Sequence, residues 1–154
     1  MAVFLGTIQP SLSPKLVISC SYFLSMTEFM NANKTILSDS LIKSLRFVMP
    51  IYSLFIIWAS LRTSTGGGWS IPHFDKVLHA GVYGLLALGV SLAWPHLSKI
   101  KIGLACLLYG GLMEIAQATL TAGRTPSFGD FIANGIGAAI ALFFVLFISK
   151  KFAR

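Results

Sequence analysis

Hydrophobic and polar positions divide the chain into four long apolar segments joined by short polar connections. The segments run from about Leu45 to Leu61, Val77 to Trp94, Ile100 to Leu120 and Phe131 to Ser149. Each is near the ~20 residues that cross a ~30 Å hydrocarbon layer at a rise of about 1.5 Å per residue. None alternates apolar with polar residues as a barrel strand does, and a backbone in lipid can satisfy itself only in helices or closed barrels. The pattern predicts an all-α integral membrane protein, a four-transmembrane-helix bundle. Upstream, Pro10, Pro14, Lys15, Glu28 and Lys34 interrupt the apolar residues, and no run reaches the roughly 18 that a span needs. Residues 1–44 therefore read as an amphipathic or disordered N-terminal cytoplasmic extension, 45–149 as the membrane domain and 150–154 as a basic cytoplasmic tail. A natural start at Met26 or Met30 is an alternative. VISC at 17–20 matches a lipoprotein cleavage site only faintly, because Pro14 and Lys15 fall inside the required apolar stretch.

The polar residues within the segments fall on single helix faces. Asp75, His79 and Tyr83 are spaced by four and form one stripe, continued by Leu86, Gly89 and Ala93. Gly103, Cys106, Gly110, Glu114, Gln117 and Thr121 make one face of the third segment, small at one end and polar at the other. Asp130 and Asn134 share a face with Gly137, Ala138 and Ala141. Small residues admit close backbone approach in a bilayer, so the faces that pack also carry the polar groups, which points those groups into the bundle. Glu114 lies about six residues, or ~9 Å, inside the third helix, and His79 and Asn134 about one turn inside theirs.

Composition and charge supply orientation. Only 11% of the 154 residues are charged, against about 25% in ordinary soluble domains. The net charge of +7 is distributed in clusters: Lys34, Lys43 and Arg46 before the first segment, Lys99 and Lys101 between the second and third, Lys150, Lys151 and Arg154 after the fourth. No basic face tracks phosphates, which argues against nucleic acid. The positive-inside rule puts both termini in the cytoplasm and turns the 62–76 and 121–130 connections outward. Trp58, Trp69, Trp94 and Phe128 stand near segment ends, where interfacial aromatics belong.

Several of these polar residues have structural explanations. Ser127 with Asp130 fits a capping box, Asp75 suits the dipole of a helix start, Arg124 can anchor to headgroups, and Gln117 and Asn134 can bond between helices. Cys20 and Cys106 have no metal or redox spacing, and Cys106 reads as a small packing residue. Glu114 resists such an explanation, since a carboxylate within an apolar helix caps nothing and is costly to bury. No hydrolase, phosphate-loop or paired-cysteine motif is present, and Gly66–Gly68 lacks the lysine of a phosphate loop. His79 with Asp75, Glu114 and Asp130 offers metal-ligand types, but one histidine and three carboxylates on membrane helices give weak support; neither metal nor cofactor is expected.

HFDKVLHAGVYGLLALG resembles the D-K-x-x-H-x-x-x-Y pattern of VanZ-like membrane proteins, and LLYGGLMEIAQ with GRTPSFGDFIANGIGAAI resembles their E-x-x-Q, R-x-x-S-x-x-D and N-x-x-G patterns. The resemblance covers residues 45 to 148 and matches Asp75, Lys76, His79, Tyr83, Glu114, Gln117, Arg124, Ser127, Asp130, Asn134 and Gly137. It implies a small multi-pass protein of the bacterial cytoplasmic (inner) membrane, in a family whose namesake is associated with low-level teicoplanin resistance. The ten polar residues of that set are expected to line an outward pocket for a lipid-linked or glycopeptide ligand of the cell envelope. Lys76 and Arg124 would hold an anionic group, while His79 and Glu114 handle a proton. Three other readings fit the same residues: a membrane-surface enzyme with Glu114 or His79 as general acid/base, a small proton-coupled transporter, and a structural module whose polar network only specifies packing. The residues themselves do not decide whether the protein is an enzyme.

Overall fold

In a computed structural model, which describes residues 38–62, 73–121 and 127–152, the chain forms four α-helices and, among those residues, no strand. They are α1 (Asp39–Leu61), α2 (Phe74–Ala93), α3 (Lys99–Leu120) and α4 (Phe128–Phe152). All four are long and apolar enough to cross a membrane. All four begin before their apolar runs do. The first starts six residues ahead of Leu45, where Ser38 Oγ accepts the Leu41 amide at 3.3 Å and Asp39 occupies the first turn. A cap, rather than the first apolar residue, sets the helix start. The N-terminal extension upstream of residue 38, Cys20, the Gly66–Gly68 run, Trp69 and Arg124 lie outside the described residues.

The closest pair is α2 with α4, running parallel, as shown by contacts from Lys76 to Asp130, His79 to Asn134 and Ala80 to Gly137. A Cβ at Gly137 would fall on the Ala80 carbonyl oxygen, and one at Gly84 would stand 3.1 Å from the Gly137 oxygen. These backbones touch because glycine leaves no side chain between them. Antiparallel to both, α3 brings Gly110 against Tyr83 and Asn134, and Gly103 against Leu142. Tyr83, Leu86, Ala87, Ile102, Cys106, Ala138 and Leu142 form the buried core.

At the periphery, α1 buries only Ile42, Met49 and Ile56. Its attachments are hydrogen bonds to backbone carbonyls: Tyr52 Oη donates to Val82 O (3.1 Å), Arg46 Nε to Ala93 O (2.9 Å), and Tyr109 Oη of α3 to Ser53 O (2.6 Å). The last turn of α2 has no basic residue of its own. Instead Arg46 and Lys99 reach its terminal carbonyls, Lys99 Nζ meeting Ser91 O at 3.4 Å. Cations there complement the negative end of the helix. Elsewhere the outer surface is apolar, with Phe47 at 73%, Leu108 at 69% and Phe143 at 71% exposure. Lipid is the solvent that such a surface fits, and the bilayer is the protein's first partner.

A polar cluster where three helices meet

The parallel register of α2 and α4 sets their first turns side by side, and antiparallel α3 brings its last turns to the same end. Lys76 Nζ donates to Asp130 Oδ1 at 2.9 Å and to Asp75 Oδ2 at 3.0 Å. Asp75 is otherwise on the rim, its side chain 57% exposed, while that of Asp130 is 14% exposed. One turn deeper, His79 Nδ1 lies 3.0 Å from Asn134 Oδ1. An amide oxygen only accepts, so Nδ1 carries a proton in this arrangement, and in the neutral ring the lone pair is on Nε2. Carboxylates flank the ring on both sides: Glu114 Oε1 is 3.8 Å from Nδ1, and Asp130 Oδ2 is 3.8 Å from Nε2.

The start of α4 shows why Asp130 is available. Its own amide bonds Ser127 Oγ at 3.3 Å, which is one half of a capping box. The other half is absent: the Ser127 amide donates to Glu114 Oε2 at 3.3 Å instead. Glu114 thus ties α3 to the start of α4, and the Asp130 carboxylate is released to Lys76 and His79. The sequence identified the cap but not this exchange of partners, which depends on where α3 ends in space.

Glu114 (6% exposed), Gln117 (7%) and Asn134 (1%) are buried. Among the described residues, Tyr83 Oη, Glu114 Oε1, Asn134 Nδ2 and, at the end of α3, Thr121 Oγ1 are buried in this region without a protein hydrogen-bond partner. Buried polar atoms in native proteins nearly always have one, so each marks a place where something else belongs or where strain is held. His79, Tyr83, Glu114 and Gln117 also border a cleft of about 210 Å³ between α1, α2 and α3, closed on its other side by apolar residues such as Phe55 and Val82. A larger hollow of about 390 Å³ lies toward the other end, among Val90, Ile102 and Cys106, and includes none of the candidate residues.

The structure therefore assembles Lys76, His79, Tyr83, Glu114, Gln117, Ser127, Asp130 and Asn134 from three helices at one end of the bundle. It leaves Asp75 on the rim. Ser53 and Tyr109, whose hydrogen bond closes α1 against α3, were not singled out beforehand; a tyrosine in an apolar run was the only available signal. A family model described as VanZ/LLP1 matches residues 15–149. That match begins well upstream of residue 45, where the sequence resemblance starts, and so takes in much of the N-terminal extension. Neither a curated protein nor a solved structure matches the chain. With almost the whole length covered, the chain belongs to the VanZ/LLP1 family.

Proposed function

We propose that this protein of the bacterial cytoplasmic membrane binds the polar end of an amphiphilic envelope molecule, lipid-linked or glycopeptide, at the outward end of its bundle. The observation that carries the reading is the make-up of the cleft: apolar walls from α1 and α2, with Tyr83 Oη and Glu114 Oε1 buried and unpartnered at its edge. An amphiphile offers both chemistries that such a cleft lacks, apolar surface for the walls and polar groups for the stranded atoms. Lys76 uses two of its three ammonium hydrogens on carboxylates, so one remains for an anionic group on the ligand; Arg124 is the second cation proposed for it. Glycopeptide tolerance is the cellular phenotype that family membership makes worth scoring.

Ala59 is exposed on α1 and borders the cleft, so Ala59→Trp fills the space without disturbing the core. Full-length protein extracted in mild detergent should carry an envelope amphiphile detectable by native mass spectrometry, and Ala59→Trp should lose it. Equal retention by both proteins, or no adduct on either, would overturn the reading. Expression in a teicoplanin-sensitive host should raise the tolerated dose; an unchanged dose would remove the resistance role and leave the binding role standing. His79, with a carboxylate 3.8 Å from each ring nitrogen, favours a second reading as an acid/base enzyme acting on the same ligand. In that case Glu114→Gln keeps the adduct but abolishes its conversion.

A further inference from the structure

We infer that His79, Glu114 and Asp130 form a binding site for one divalent metal ion. One donor atom from each residue lies within 4.8 Å of the other two. The three come from α2, α3 and α4 respectively, so the site exists only in the folded bundle. With Nδ1 bonded to Asn134 Oδ1, the free imidazole atom is Nε2, and a lone pair there faces Asp130 Oδ2 at 3.8 Å. Glu114 Oε1, 3.8 Å from Nδ1 on the other side of the ring, is a third lone-pair donor, nine-tenths buried and without a protein hydrogen bond. One donor atom from each residue is thus within reach of the other two, and a cation among them would balance the two carboxylates.

The surroundings have the form that metal sites use. Ligating histidines characteristically donate the other ring N–H to a carbonyl or carboxylate, which fixes tautomer and ring orientation, and Asn134 Oδ1 does this for His79. The second oxygens of both carboxylates are also engaged, Asp130 Oδ1 by Lys76 and Glu114 Oε2 by the Ser127 amide. Each acid therefore presents one oxygen inward. Ligands about 2.0–2.2 Å from a tetrahedral ion stand roughly 3.4 Å apart, so the 3.8 Å between Nε2 and Asp130 Oδ2 needs only a small contraction, and the full set, spread over up to 4.8 Å, closes by side-chain rotation. Asp75, which has the right chemistry in the sequence, points to Lys76 on the rim and takes no part. One imidazole with two carboxylates suits Zn²⁺ or Mn²⁺; Ca²⁺ takes six to eight oxygens and Mg²⁺ keeps to oxygen and water. Three protein ligands would leave one position of a four-coordinate ion open.

This inference rests on the donor geometry and stands whether or not the cleft holds an amphiphile. The test uses full-length protein carrying no histidine tag, purified in detergent, stripped with chelator and titrated with Zn²⁺ and Mn²⁺. Elemental analysis should find about one ion per chain, with Glu114→Gln, Asp130→Asn and His79→Gln each weakening uptake by about tenfold or more. Asn134→Ala should weaken it less than loss of a ligand, while Ser149→Ala, at the far end of α4, should leave it unchanged. Circular dichroism and a single elution peak report folding, and Asp130→Asn, at the margin of the bundle, provides the reading if Glu114→Gln does not fold. Loading with Co²⁺ gives a visible spectrum that His79→Gln should alter if its imidazole is a ligand. Absence of stoichiometric binding, or uptake unaffected by the ligand substitutions, would overturn the site.

Discussion

Glu114 concentrates the physical problem of this protein in one side chain. A carboxylate within a membrane helix is disfavoured by a few kcal/mol on insertion scales, and here it is answered by three partial compensations. One oxygen accepts the Ser127 amide, the other faces the His79 ring, and the whole group is turned from lipid toward α2 and α4. If His79 and Glu114 act as a unit, the cost of removing both is smaller than the sum of removing each. In a double-mutant cycle of Glu114→Ala and His79→Ala, unfolding in detergent should show about 1 kcal/mol or more of coupling. Glu114→Gln should be milder than Glu114→Ala, because the amide still accepts from Ser127. Strict additivity of the two alanine substitutions would separate the residues energetically and leave their 3.8 Å approach as mere proximity.

Among the elements, the contact of α2 with α4 decides where every site residue stands. Gly137 is its tightest point, since any side chain there meets the Ala80 carbonyl. Gly81 is one residue away from Ala80, yet a Cβ at that position meets nothing within 4 Å. The two glycines therefore make a matched test. Gly137→Ala should destabilise by at least the 1–3 kcal/mol usual for overpacking, about as much as backbone parting requires. Gly81→Ala should be neutral or mildly stabilising, through the roughly 1 kcal/mol by which alanine favours a helix over glycine. Thermal unfolding in detergent reads both; equal effects would mean that α2 and α4 are not in the contact described. Parting these helices also separates Lys76 from Asp130 and His79 from Asn134, so Gly137→Ala should impair ligand or metal binding without touching either site residue.

For the whole molecule, four apolar helices with a polar cluster at one end raise the question of which side that end faces. The basic residues Arg46, Lys99, Lys101, Lys150 and Lys151 belong to the opposite end, the one that the positive-inside rule assigns to the cytoplasm. Orientation is testable directly. In a background with Cys20 and Cys106 replaced, Gly67→Cys in the connection between α1 and α2 should react with an impermeant maleimide in intact cells. His96→Cys, exposed between α2 and α3, should react only after permeabilisation. The reverse labelling would put the cluster in the cytoplasm and remove an external ligand from consideration.

The number of helices, their membrane environment and most of the inward faces of α2, α3 and α4 are properties of hydrophobic periodicity, a local quantity that the order of residues carries. Cys106, Gly110, Glu114, Gln117 and Thr121 recur at three- and four-residue spacing and are all buried on one face of α3. Helix starts were less legible, because a cap such as Ser38 or Ser127 can begin a helix several residues before its apolar run. What the sequence left undetermined is how the faces meet. The parallel pairing of α2 with α4 follows from the fit of Ala80 and Gly84 against Gly137, a match between surfaces distant in the chain. That fit, together with the place where α3 ends, gives the Ser127 amide to Glu114, frees Asp130 for His79 and leaves Asp75 outside. The carboxylates Asp75, Glu114 and Asp130 thereby acquire different neighbours, since hydrogen-bond partners are fixed by ångström distances between helices that residue spacing along one helix does not contain.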